Sequence, residues 1–411
     1  MQRIVIFLTL MLMISCGSAD PEQPNTPQPQ PPSNEPPSST PSFAALLNAP
    51  NPPFEVHDPS NIVEMAPGVY SFFASSNPDW DYQLRQFTLD MNQAMPSWQE
   101  QGFWSTQDEL PEFLEWHVPW MEQYGYDGTF QIEHRELATI APSLLDAQTV
   151  YFNMRNTAGY EWAAERDEEP AMFHAMYKAN ASGTYPNQTW SVDPIPVYYS
   201  DETTFGRGGP RAVDTQVWRD DDGQLYMTFG SWDPANRNVI AIADMDETTG
   251  RIEGFTASAP GYYNASSPAF HPVATFGEAA QSFKHGDYYY LFLNLGGCCS
   301  GLDSTYTIVV GRSSNLYGPY TDDLGRAFMD VYPETADTDY VTRFPGKLLL
   351  QTEGDVIGPG HTGIYTHSDG RVLMSFHYYD GRDNGTPKLA TRELAFDAEG
   401  WPYVVRDVST E

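Results

Sequence analysis

Basic side chains are scarce in this 411-residue chain, with 21 Lys and Arg against 55 Asp and Glu and a formal net charge of −34 at pH 7. A surface of that sign repels a phosphate backbone rather than neutralising it, which excludes nucleic acid as a partner. A neutral polysaccharide is compatible, and a polyanionic one is disfavoured unless a cleft gathers the few Lys and Arg. So acidic a surface suits a salty habitat, where self-repulsion is screened over about 8 Å or less. Cysteine is nearly absent, the three residues being Cys16, Cys298 and Cys299. Adjacent cysteines cannot staple distant segments, so a disulfide-built scaffold is ruled out; Cys298 and Cys299 are either neighbouring thiols or a vicinal disulfide. No apolar run reaches the roughly 20 residues of a membrane helix. Helical periodicity is weak, which leaves strands to build the core.

Residues 1–15 carry one basic residue, Arg3, and an apolar core over 4–14, too short to span a bilayer and consistent with an export signal. Met13-Ile14-Ser15-Cys16 ends it in the manner of a bacterial lipoprotein signal, so the expectation is a signal peptide over 1–16 with a lipidated Cys16. No acidic residue directly follows Cys16, which favours the outer membrane or cell surface of a Gram-negative cell over the inner membrane; plain secretion is the alternative. Residues 17–42, rich in Pro, Gln, Asn, Ser, Thr and Glu, cannot bury a core and are expected to form an extended tether. One folded domain is expected over 43–411, attached to the membrane only through the lipid and monomeric.

Within that domain three acids recur in one setting. His57-Asp58-Pro59-Ser60 leads through Ala66-Pro67-Gly68 into Val69-Tyr70-Ser71-Phe72-Phe73. Val213-Asp214-Thr215-Gln216-Val217-Trp218 leads through Asp222-Gly223 into Leu225-Tyr226-Met227-Thr228-Phe229. Glu278-Ala279-Ala280-Gln281-Ser282-Phe283 leads through His285-Gly286-Asp287 into Tyr288-Tyr289-Tyr290-Leu291-Phe292. Each acid precedes or opens the first strand of a hairpin whose turn uses glycine's freedom at positive φ. Two further units start near Ile140 and before Gly363-Ile364-Tyr365. Five such units predict an all-β array; if the hairpins are blades of a radial array, first strands line a central channel and acids at their heads converge. A sandwich would account for alternating strands but not for the acid-first repetition. Between the first two units an aromatic stretch over 92–135, with Trp98, Phe103, Trp104, Phe113, Trp116, Trp120, Tyr124 and Tyr126, reads as an insertion that packs on the blade edge or borders a sugar site.

Glycosidic hydrolysis needs one carboxyl group to protonate the leaving oxygen and one to activate water or attack directly. Three converging carboxylates supply both, and the third, placed close to the acid, raises its pKa by charge repulsion. No organic cofactor is required.

At this point the chain resembles glycoside hydrolase family 43, and within it the arabinan endo-1,5-α-L-arabinanases. The matching residues are His57-Asp58-Pro59-Ser60, Ala212-Val213-Asp214, Glu278 with Lys284-His285-Gly286, Gly296-Gly297-Cys298-Cys299, Thr305-Tyr306-Thr307-Ile308-Val309-Val310-Gly311-Arg312-Ser313, Gly358-Pro359-Gly360-His361 and His377-Tyr378-Tyr379-Asp380. The resemblance implies a five-bladed β-propeller and an inverting reaction, with Asp58 as general base, Glu278 as general acid and Asp214 tuning that acid. It implies substrate contacts from Arg211, Ser231, Trp232, Cys298 and Cys299. It also implies a calcium or other ion at the channel centre, held by His361. The departures lie around the acids. Arg211-Ala212-Val213-Asp214-Thr215 replaces an Asn-Ala-Ile-Asp-Pro pattern, placing a cation near Asp214, and Ile140-Ala141-Pro142-Ser143 replaces Trp-Ala-Pro-Asp, removing a ring and a carboxylate. Alternatives that keep the chemistry are an exo-acting α-L-arabinofuranosidase, a β-xylosidase or a hydrolase of an algal glycan. A non-catalytic glycan-binding propeller is the alternative outside enzymology.

Overall fold

The middle strands of the expected hairpins are buried on both faces. Every residue of β2 (Val69–Ala74) and of β10 (Leu225–Phe229) is inaccessible. A strand sandwiched between two neighbouring sheets reads as a continuous apolar run rather than as an alternation, which is why these segments stand out in the sequence as aromatic blocks. The structure is a computed structural model; it describes residues 41–76, 84–104, 115, 118–119, 122, 137–156, 174–199, 210–231, 239–259, 262–264, 270–330 and 343–405.

Five antiparallel sheets follow one another along the chain. Blade 1 runs β1 (Val63–Ala66), β2, β3 (Leu84–Asp90), β4 (Trp98–Trp104), and blade 2 runs β5 (Leu137–Asp146), β6 (Thr149–Asn156), β7 (His174–Ser182), β8 (Thr189–Tyr199). Blade 3 comprises β9 (Gln216–Arg219), β10, β11 (Ile240–Asp246) and β12 (Arg251–Ile252). A separate ribbon of β13 (Thr256–Ala259) and β14 (Tyr262–Asn264) follows, and β15 (Phe270–Ala274) pairs with β11. Blade 4 is β16 (Glu278–His285), β17 (Tyr288–Leu295), β18 (Thr307–Ser313), β19 (Lys347–Leu350), and blade 5 is β20 (Val356–Thr366), β21 (Val372–Asp380), β22 (Thr386–Phe396), β23 (Pro402–Val404). The first strands of successive blades touch one another, β1 with β5, β5 with β9, β9 with β16 and β16 with β20. They therefore line the axis, and the fold is the five-bladed β-propeller expected.

The cores lie between blades. Blade 5 meets blade 1 through Leu373 and Leu389, which pack with Val56, Ile62, Tyr70 and Phe72 and with Phe43 and Leu46 of the short helix α1 (Phe43–Leu47). The Val56 N–H also donates to Pro387 O at 3.0 Å. The segment ahead of β1 thus closes the ring, each large side chain it buries contributing about 1.5–3 kcal/mol. One expectation is corrected here. Trp98 is not part of an insertion: it opens β4, is 4 % exposed, and stands edge-on to Phe72 at 4.9 Å. The stretch divides, its start being the outer strand of blade 1, while Phe113, Trp116, Trp120, Tyr124 and Tyr126 lie outside the described residues.

Candidate active site

A repeated kink brings the acids to the channel. Asp58, Ala141, Asp214, Ala279 and His361, one per blade at the head of or within the inner strand, all have left-handed backbone, with φ of 44°, 47°, 55°, 49° and 56°. Such a conformation costs of order 1–3 kcal/mol for a non-glycine residue and persists only where the surroundings over-determine it. Strand pairing breaks register at the same points, between Ile140 and Ser143, between Glu278 and Gln281, and between Gly360 and Gly363. Each kink is braced by a side chain of the preceding blade. The Ala141 N–H donates to Ser75 Oγ at 3.0 Å, Thr215 N–H to Asn153 Oδ1 at 3.3 Å, Ala279 N–H to Asp214 Oδ2 at 3.0 Å and His361 N–H to Asn294 Oδ1 at 3.1 Å. The circle closes with Asp58 N–H donating to His377 Nδ1 at 3.2 Å.

Asp58 lies among cationic partners. Its Oδ2 is 2.9 Å from His57 Nδ1 and accepts from Ser75 Oγ at 2.8 Å, and its Oδ1 is 3.3 Å from His361 Nδ1. Burial alone would push its pKa up, but His57 and His361 outweigh burial and hold the carboxylate well below the usual range. The reciprocal effect raises both histidines: burial lowers them, and Asp58 more than compensates. His377 goes the other way, held neutral by burial and by the charge on His57.

Glu278 is gripped by two hydroxyls, Tyr306 donating to Oε1 at 2.7 Å and Ser231 donating to Oε2 at 3.1 Å. The displaced carboxyl is its neighbour. Asp214 is pushed up to about 7, first by burial and then by the negative charge of Glu278. The two buried acids repel each other, so the pair retains one proton near neutrality. Between the ordinary aspartate value and about 7 the folded state keeps a proton on Asp214 that the unfolded chain has released. Stability therefore falls as pH rises through that window and levels off above it. Asp214→Asn is expected to flatten this decline and to raise the denaturant midpoint near neutral pH, by denaturation followed from pH 5 to 8; an unchanged slope would remove the proton from Asp214.

The remaining expected residues separate. Cys298 and Cys299 are joined as a vicinal disulfide at the same mouth of the channel: the Cys299 N–H donates to Tyr379 Oη at 2.7 Å, and its Sγ lies 3.9 Å from His57 Nε2. Tyr379 Oη also hydrogen-bonds His57 Nε2 at 2.8 Å, so it ties the disulfide to the Asp58 side. Ser231 lies against Glu278. Arg211 is half-buried three residues before Asp214, and the cation acting on that carboxyl is His361. Trp232 lies outside the described residues. Sequence reasoning assigned no role to Ser75, Tyr306, His377 or Tyr379. The last three fall in quoted motifs, whereas nothing local marks Ser75, whose contacts are to residues 17 and 66 positions away.

His361 can offer an ion a single imidazole nitrogen. With Nδ1 on Asp58, its Nε2 would be the ligand atom once it gave up its proton, an arrangement in which a carboxylate orients a metal-binding imidazole. A space for about one water lies beside it, lined by His361, Asp214, Ser60 and Ser143 among others. Full calcium coordination takes about 6–8 oxygens, more than these side chains and a space for one water supply. Ligand atoms of His57, Asp58 and His377 also lie within 4.8 Å of one another, but the Nδ1 atoms of both histidines already serve Asp58.

Carboxyl groups gathered from separate blades at a propeller's axis, one ionised and two in close repulsion, define a class of carbohydrate-cleaving propellers. The chain belongs to glycosyl hydrolases family 43, whose sequence pattern matches residues 133–402. It is 28 % identical over 263 residues to an extracellular exo-α-(1→5)-L-arabinofuranosidase of Cellvibrio japonicus, covering 60 % of this chain and 70 % of that one. It is 30 % identical over 193 residues to an extracellular endo-α-(1→5)-L-arabinanase of Bacillus subtilis, covering 46 % of this chain and 50 % of that one. The fold matches that of a Cellvibrio cellulosa α-L-arabinanase solved with arabinohexaose, with a TM-score of 0.58 at 21 % identity, over 86 % of this chain and 96 % of that one.

Proposed function

We propose that the protein is an inverting hydrolase that cuts α-1,5-linked L-arabinan internally, with Asp58 as general base, Glu278 as general acid and Asp214 as the residue that tunes that acid. The observation that carries this reading is the electrostatic contrast across the site: Asp58 is kept ionised by His57 and His361, while the mutually repelling pair of Asp214 and Glu278 retains one proton near neutrality. A base must be ionised to take a proton from water, and an acid needs a proton supply near neutrality. Tyr306 and Ser231 hold Glu278 in place for donation to the leaving oxygen. The apolar vicinal disulfide suits the C–H face of a sugar, and Arg211, Ser231 and Trp232 are the polar and aromatic candidates for further subsites. An ion on His361 Nε2 would add positive charge beside Asp58 and Asp214. Lipidation at Cys16 would keep the enzyme at the cell surface, where polymer is met.

Exo action is the second reading, favoured by the similarity to the Cellvibrio exo-enzyme. Products from debranched arabinan decide between them. Internal cleavage yields a ladder of oligosaccharides from the first minutes, with viscosity falling ahead of reducing ends. Release of one short product from the outset supports exo action. Activity confined to xylan or an algal polysaccharide overturns the arabinan assignment.

A further inference from the structure

The brace on Asp58 differs from the others in the ring. In blades 3 and 5 the kink N–H groups go to asparagine oxygens, Asn153 Oδ1 and Asn294 Oδ1, whereas Asp58 uses an imidazole, His377 Nδ1. A nitrogen that accepts a hydrogen bond carries no proton, so His377 is the neutral tautomer with its hydrogen on Nε2. Its side chain is 0 % exposed, and Nε2 has no hydrogen-bond partner among the described residues. A buried donor left unsatisfied is destabilising. Stability alone would therefore favour an asparagine of the kind found in blades 3 and 5. What the ring adds is rigidity. It stacks on His57 at 4.2 Å between centroids and 23° between planes, and faces Tyr306 at 6.1 Å and 22°. Those are the side chains that contact Asp58 and Glu278. The stack fixes the imidazole edge, so Nδ1 stays aimed at the Asp58 N–H.

We propose that His377 is a positioning residue for the catalytic base: through Nδ1 it holds the left-handed backbone of Asp58, and with it the carboxylate, at the mouth of the channel. This rests on the reading of Asp58 as the base. The residue is buried away from any sugar and acts on Asp58, accepting from its N–H and lying 3.6 Å from its Oδ1, so its effect falls on turnover rather than on binding.

The test compares three forms of the full protein. His377→Phe keeps a flat ring in the stack and removes the acceptor; kcat on arabinan is expected to fall about 10²-fold, the scale of a misplacement near 1 Å, with KM and the far-ultraviolet circular dichroism unchanged. His377→Asn restores an acceptor of the kind used in blades 3 and 5 and is expected to recover most of that loss. Equal impairment of the two variants, or full activity in the Phe variant, overturns the proposal. A nitrogen-15 spectrum of the wild-type histidines near neutral pH supplies a readout that does not depend on turnover. An unprotonated Nδ1 on His377 is expected, and a protonated one overturns the brace. Failure of the hydrolase reading itself appears differently, as a wild-type protein that turns over no arabinan while the His377 tautomer is as stated.

Discussion

Asp58→Asn is expected to lower kcat on arabinan by about 10³-fold, within the range general base catalysis commonly contributes. The substitution keeps shape and preserves acceptance from Ser75 Oγ, but an amide oxygen cannot take the proton of an attacking water. It also removes the anion that holds His57 and His361 above the usual histidine range, so both are expected to lose protons at lower pH. Two measurements check this: reducing-end release, and titration of the histidine ring signals, which should move to lower pH in the variant. Turnover above a tenth of wild type would exclude Asp58 as the base. Unmoved histidine titrations would contradict the ion pairs that keep it ionised.

Glu278→Gln is expected to cost a comparable factor on arabinan, about 10²–10⁴, and the loss should depend on the leaving group. A sugar alkoxide is a poor leaving group and needs a proton as the bond breaks; a nitrophenolate does not. An arabino-oligosaccharide with an aryl leaving group should therefore recover much of the lost rate in the Gln variant, while Asp58→Asn should show no such recovery because water activation is still missing. The alkaline limb is a second signature. With a proton kept beside Glu278 up to about 7, wild-type kcat/KM should decline above that value. The variant should lose this limb, because its amide neither supplies a proton nor repels Asp214. Equal losses on natural and aryl substrates would assign the acid elsewhere.

Much of the architecture was legible because each blade carries the same local signals. Gly68, Gly223 and Gly286 mark the first hairpin turns of blades 1, 3 and 4 with positive φ, and the doubly buried second strands appear as runs such as Val69-Tyr70-Ser71-Phe72-Phe73. Trp98 was misplaced because an outer strand flanked by a long aromatic stretch has no local feature to separate it from that stretch; its contact with Phe72 is tertiary. The site was legible in its acids but not in its braces. Ser75, Asn153 and Asn294 are ordinary polar residues in sequence, and they matter because the ring brings each to a backbone N–H of the next blade.

The order of the motifs and the five-fold hairpin rhythm determine the family and the propeller and single out the three acids as candidates, since these depend on residue type and on spacing along the chain. The tertiary structure decided which acid bears the displaced pKa and which partners hold the other two. Burial, the repulsion between Asp214 and Glu278, and the attraction of His57 and His361 for Asp58 are through-space effects acting over a few ångströms between residues as much as about 300 positions apart, and only closure of the ring sets those distances.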